Sequence, residues 1–215
     1  MCEDLQIMAD SLDSDFSSFY HAFSARFRGP HELVKARLRV HAEFLAAATL
    51  PGPAVDLGVG RGEWIELARE HGFQTIAVDN NPDIVAAARA RGFEVVEADA
   101  LDYLAQAPEG SLGAVTGFHL IEHLQPPQRL RFVRDAWRAL ARGGWLILEW
   151  PNMKHPLVAQ YTFWLDPTHQ SPLPSELMAF MAEYAGFEDI TIVRLDDGRP
   201  VSFEAFDVAL RARKP

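Results

Sequence analysis

Cysteine is nearly missing from this chain. Cys2 is the only one among 215 residues, which excludes internal disulfides and any cysteine-rich zinc site. Lysine is scarce as well, three against seventeen arginines, and the formal charge is −10. Nothing offsets the long-range repulsion such a charge exerts on nucleic acid, so broad phosphate-backbone binding is excluded and only a local basic patch stays compatible. No apolar run approaches membrane-spanning length. The acidic start Met1-Cys2-Glu3-Asp4 lacks the basic and apolar regions of a secretory signal, so a cytoplasmic protein without membrane insertion is expected. What is present, 48% hydrophobic and 23% charged residues, is the composition of one globular domain with a sizeable core.

Residues 1–29 show no clear period and read as an N-terminal extension or lid, leaving 30–215 as a single domain. From Pro30 to Ala48, Leu33, Val34, Leu38, His41 and Leu45 recur at helical spacing. Strands near 54–57, 75–79, 93–97, 113–117 and 145–150 then alternate with helices over 63–71, 82–91, 102–107 and 127–141. After a Pro-rich, aromatic-rich insert at 151–173 come a helix over 175–185 closed by Gly186, and strands at 188–195 and 201–211. The last two are joined by Asp196-Asp197-Gly198-Arg199, a hairpin signal. The expected fold is α/β, a Rossmann-like doubly wound seven-stranded sheet. It is mostly parallel, with an antiparallel C-terminal hairpin strand and helices on both faces.

The most informative stretch is Ala54-Val55-Asp56-Leu57-Gly58-Val59-Gly60-Arg61-Gly62-Glu63-Trp64, followed by Asp79 at the close of the next strand. Alternating glycines bring bare backbone against a ligand, and a carboxylate at the second strand end can grip ribose hydroxyls. A dinucleotide fingerprint would place its third glycine at 63, where the helix receives a pyrophosphate. Glu63 stands there instead, with Asp56 as a second acid beneath the turn; Arg61 is the dissenting charge. An acidic loop beside a ribose acid suits S-adenosylmethionine, which carries an ammonium and a sulfonium and no phosphate. An NAD-dependent oxidoreductase is the less favoured alternative, since dehydrogenase sheets usually finish parallel.

Together these residues resemble the class I S-adenosylmethionine-dependent methyltransferases over 54–211. The closest likeness is to bacterial enzymes of polysaccharide and O-antigen clusters, through Phe27-Arg28-Gly29, Gly60-Arg61-Gly62-Glu63-Trp64, Ile121-Glu122-His123-Leu124 and Asp166-Pro167-Thr168-His169. With these the likeness begins near Phe27. Val59 departs from the cysteine common in that group, at a side chain the family turns away from the ligand.

The resemblance implies a cofactor site built from Arg28, Asp56, Gly58, Gly60, Gly62, Asp79, Asn80, Asp99, Ala100 and His119. In it the glycines pass under the methionine part, Asp79 takes the ribose, Asp99-Ala100 meets the adenine, and Arg28 clamps the carboxylate. S-adenosylhomocysteine is the product. Asp99 is also suited to cap a helix, a role compatible with cofactor contact, and the competing reading of Arg28 is a surface arginine. In the insert, Tyr161 and Trp164 are placed against the acceptor and His169 and Asp166 against the reacting hydroxyl, joined by His123 from the segment after the fourth strand. Asp166 and His169 could instead simply pin their loop.

His119-Leu120-Ile121-Glu122-His123 has a second reading. Relatives acting on small RNA ends and in ubiquinone synthesis carry E-x-x-E-H here and hold a divalent metal with a downstream histidine. Because His119 replaces the first carboxylate, no metal is favoured. The expected reaction is O-methylation of a glycan or small-molecule acceptor by a monomer or homodimer. The alternatives are a phosphate-directed enzyme of polysaccharide termination, or a non-catalytic S-adenosylmethionine-binding partner of another enzyme.

Overall fold

The computed structural model describes residues 2–195 and 205–215, with side chains from residue 15 onward. Among the described residues, seven strands form one sheet in the order β3-β2-β1-β4-β5-β7-β6. They are β1 (Ala54–Leu57), β2 (Thr75–Asp79), β3 (Val95–Glu97), β4 (Leu112–Phe118), β5 (Leu140–Pro151), β6 (Glu188–Leu195) and β7 (Asp207–Arg213). The first five run parallel, and β7 lies antiparallel between β5 and β6. The doubly wound sheet expected from the alternation is therefore present.

Among the described residues there are eight α-helices: α1 (Cys2–Phe27), α2 (His31–Ala47), α3 (Glu63–Glu70), α4 (Pro82–Ala90), α5 (Ala100–Gln106), α6 (Pro126–Ala139), α7 (Pro156–Gln160) and α8 (Ser175–Ala185). The period-2 pleat sorts the strands' side chains between two cores. Val55, Val115, Leu146 and Leu148 pack with Leu101 and Leu104 of α5, Phe132 and Val133 of α6, and Met178 of α8. Ala54, Ala114 and Ile147 point the other way, onto Val34, Leu38 and Leu45 of α2 and Trp64 and Leu67 of α3. Each fully buried Val, Leu, Ile, Phe or Met among them contributes about 1.5–3 kcal/mol, which fixes the register of the helices on both faces.

Several local expectations are corrected. Residues 2–27 form a continuous helix, although their polar residues mask any apolar stripe. Leu33 is 67% exposed, so the buried face of α2 is Val34, Leu38, His41 and Leu45. α5 starts two residues earlier than periodicity indicated, because Asp99 accepts from Leu101 N and Asp102 N and caps it. β5 extends back to Leu140 through a register shift against β4. The final strand is observed over Asp207–Arg213; positions 201–204 of its expected span and the expected Asp196–Arg199 turn lie outside the described residues.

The sheet order reverses between β1 and β4, and ligands of such sheets sit in the crevice at that switch point. Both the glycine turn after β1 and the His119–His123 segment after β4 open onto it.

Candidate active site

On the β1 side, Gly58, Gly60 and Gly62 all have left-handed φ, at 83°, 52° and 81°. The third also has no room for a side chain, since a Cβ on Gly62 would come within 2.5 Å of the Phe93 ring. A Cβ on Gly60 would strike the Arg28 guanidinium, which therefore covers the turn. Arg28 Nε is buried without a hydrogen-bond partner. Asp79 ends β2 with Oδ1 accepting from Asn81 N at 2.9 Å and Oδ2 3.5 Å from Gly60 N. Asn80 beside it is exposed. Asp56 is buried beneath the turn, where Thr116 Oγ1 donates to it at 2.9 Å. Burial pushes its carboxyl up to about 7, against that bond and the nearby Arg28 charge.

The acidic character ascribed to Glu63 needs correction. Its side chain is buried, and Arg61 reaches Oε1 with Nε at 2.8 Å and Nη2 at 2.7 Å, cancelling the charge at the helix start. Arg61 thus serves the turn's own fold.

On the β4 side, the turn at Ile121–His123 meets the residues that follow the segment Thr162–Leu165, with the His123 and His169 rings 4.8 Å apart. Asp166 Oδ1 accepts from Thr168 N at 2.8 Å and from Thr168 Oγ1 at 2.6 Å. These bonds hold the carboxyl below its ordinary value despite the cost of burial. His123 Nδ1 lies 2.7 Å from Thr168 Oγ1. His169 Nδ1 donates to the Phe163 carbonyl at 2.6 Å, and its Nε2 is 3.9 Å from both Glu122 Oε1 and Asp166 Oδ2. Burial lowers its pKa. Both residues do pin their loop, as the simpler reading had it, yet each keeps an atom turned toward the other. Tyr161 and Trp164 are 58% and 59% exposed, with Trp164 Nε1 tied to Ala159 O.

His119 joins the two sides. It sits at φ 57°, and its ring is turned into carboxylates: Nδ1 is 3.1 Å from Glu122 Oε1, and Nε2 is 3.3 Å from Glu149 Oε1 and 3.6 Å from Asp207 Oδ1. Arg37 on α2 pairs with the same acids, Nε to Glu149 at 3.1 Å and Nη1 to Asp207 at 2.8 Å, and His41 Nε2 lies 3.5 Å from Glu149. Burial opposes a charge on His119, but Asp207, Glu122 and Glu149 outweigh it and push the imidazole up to about 10. Arg129, fully buried on α6, donates to the carbonyls of Ile121, Glu122 and Ser171, tying the 121–123 turn to the end of the insert. Arg37, Arg129, Glu149 and Asp207 carry no local sequence signal, because they come from four separate elements.

A methyltransferase-domain family profile matches residues 28–192. The chain belongs to the S-adenosylmethionine-dependent methyltransferases. The crystal structure of such a methyltransferase from Archaeoglobus fulgidus superposes with a TM-score of 0.80 at 30% identity, covering 91% of this chain and all of that one. Among curated relatives, the ubiquinone biosynthesis O-methyltransferase of Xanthomonas campestris is 34% identical over 131 residues, 58% of this chain and 54% of the relative. The chain spans about half the length of the curated relatives it matches. The methyltransferase's residues fit the cofactor: a left-handed glycine turn, a carboxylate closing β2, and a buried guanidinium nitrogen without a partner beside the turn. Among the described residues no helix is long and apolar enough to cross a membrane.

Proposed function

We propose that the methyltransferase transfers a methyl group to a hydroxyl oxygen of a glycan or small-molecule acceptor bound between the 121–123 turn and the 161–172 insert, with His169 as base. One observation carries this reading: the Phe163 carbonyl takes the Nδ1 hydrogen of His169, so the neutral ring keeps a bare Nε2 on the side of Glu122 and Asp166. Those carboxylates stabilise the imidazolium formed as the hydroxyl loses its proton. S-adenosylmethionine, when bound, supplies a methyl carbon activated by its sulfonium. Gly58, Gly60 and Gly62 admit it to the backbone above Asp56; Asp79 and Asn80 take the ribose, Asp99 and Ala100 the adenine, and Arg28 the carboxylate. Tyr161 and Trp164 stack on the acceptor, and His123 orients it.

Incubation with methyl-labelled cofactor and a panel of sugars, phenols and oligosaccharides tests the reaction, with a labelled methyl ether as the expected product. The resemblance to polysaccharide-cluster enzymes favours a glycan, and the relative named as an O-methyltransferase favours oxygen over nitrogen. A phosphate acceptor is disfavoured by the cations around the site. Arg37 is engaged by Glu149 and Asp207, Arg61 by Glu63, and Arg129 by three carbonyls. Label appearing only on phosphorylated acceptors would replace the present reading, and binding without transfer to any acceptor would make the chain a non-catalytic partner.

Arg28→Ala is expected to weaken S-adenosylhomocysteine binding by about 10- to 100-fold, the size of one lost charge-assisted hydrogen bond. Calorimetry checks this, and an unchanged affinity removes the assignment.

Glu122, His123 and His169 offer ligand atoms within 4.8 Å of one another, three of the four residues a metal-dependent reading of His119, Glu122, His123 and His169 would use; His119 groups instead with Glu149 and Asp207. Two imidazoles and one carboxylate suit a transition metal better than Mg²⁺. Turnover is expected to survive dialysis against a chelator; loss restored by a single metal ion would reverse that expectation.

A further inference from the structure

Two hydroxyls on one face of α1 reach opposite sides of the site. Ser17 Oγ lies 3.1 Å from Asn81 Oδ1 and 3.0 Å from Asp83 Oδ2, at the start of α4 just beyond Asp79. Three residues later, the Tyr20 hydroxyl donates to Asp166 Oδ2 at 3.1 Å, and its ring meets His123 edge-on with centroids 6.3 Å apart. Residues at i and i+3 are neighbours on a helix surface, so a single stripe of α1 spans the cofactor and acceptor sides.

The bond to Asp166 differs from ordinary packing in where it falls. Thr168 engages Oδ1 twice, within the insert itself. Tyr20 engages Oδ2, the oxygen that lies 3.9 Å from His169 Nε2. Burial and the Asp166 charge raise the phenol's pKa above its ordinary value, so it remains a donor and does not serve as a base. The ring is held in turn by Phe16, stacked at 6.4 Å, and Phe23, stacked at 6.0 Å.

We propose that Tyr20 is a positioning residue of the acceptor site. Its hydroxyl, bonded to Asp166, clamps the 161–172 insert against α1 and thereby sets the direction in which His169 Nε2 faces the acceptor. The proposal rests on the reading of that insert as the acceptor side.

Tyr20→Phe keeps the ring and removes only the hydroxyl. In hydrogen–deuterium exchange on the full chain with S-adenosylhomocysteine present, it is expected to speed exchange across residues 161–170 by about tenfold or more, the effect of losing one hydrogen bond to a charged group. Exchange at 54–62 and 75–79 should hold, as should calorimetric affinity for S-adenosylhomocysteine. Asp166→Asn, which replaces the charged acceptor facing the phenol by an amide that can only donate to the phenol oxygen, should shift exchange in the same direction, and the double variant should fall short of the sum of the two, because both substitutions act on one bond. The hydrogen-bonded phenol proton should appear in the NMR spectrum of the wild type and vanish in Asp166→Asn. Unchanged exchange in the insert, additive effects of the two substitutions, or a general loss of protection including β1 and β2 would each overturn the proposal. Failure of every acceptor to take a methyl group would sink the proposed reaction and leave these readouts untouched.

Discussion

Alanine at position 169 is expected to lower turnover by about 10²- to 10⁴-fold, the usual contribution of a positioned general base, while S-adenosylhomocysteine binds as before. The separation follows from the contacts. The partners of His169 are Phe163, Glu122 and Asp166, and none of them belongs to the glycine turn or to the end of β2. The same arrangement fixes the pH dependence. The base must be neutral, burial lowers the pKa of His169, and so the rate should stay level through neutral pH and fall on acidification below the ordinary histidine range. Single-turnover measurements with the labelled cofactor across pH 5 to 8 read both effects. Equal rates for the variant and the wild type on the true acceptor would show that the nucleophile needs no base, as for a carboxylate or phosphate oxygen.

Replacing His119 with alanine is expected to cost about 3–5 kcal/mol of stability, the penalty for removing one partner of a buried ion network. Glu122 and Glu149 are fully buried and Asp207 nearly so; without the imidazolium, Arg37 remains beside Glu149 and Asp207, and His41 beside Glu149. The sign with pH is defined. The folded-state pKa of about 10 lies above the unfolded value of 6.5, so the stabilisation from His119 is complete below about pH 6.5 and is lost as pH rises through 10. Urea denaturation at pH 6 should therefore show a large gap between wild type and variant, and at pH 10 a much smaller one. A gap of equal size at both values would mean that His119 contributes by packing alone. His119 read from sequence as a cofactor contact; its ring placement adds a structural duty at the floor of the site, and S-adenosylhomocysteine calorimetry on the variant separates the two.

Local patterning located most of the frame. β1 at 54–57 and β2 at 75–79 fall where alternation and glycine placed them, and α8 ends at Gly186 as its left-handed conformation requires. α1 escaped because Ser and Asp dilute its one usable signal, the aromatics Phe16, Tyr20, Phe23 and Phe27 at spacings of four, three and four. Asp166 and His169 were recognisable as a pair through their family motif. Their hydrogen-bond roles, and hence which nitrogen of His169 is bare, depend on Phe163 and Thr168 in a folded loop.

By itself, the sequence determined the sheet, the glycine turn with the acid that closes β2, and so the cofactor, because these rest on short-range rules: period, turn conformation and the residue closing a strand. Only the tertiary structure decided how charge is distributed in the site. Arg61 cancels Glu63 two residues away, whereas His119, Arg37, Glu149 and Asp207 meet from positions up to 170 residues apart. Electrostatic effects depend on separation in space and on burial, and neither is written in the spacing of residues along the chain.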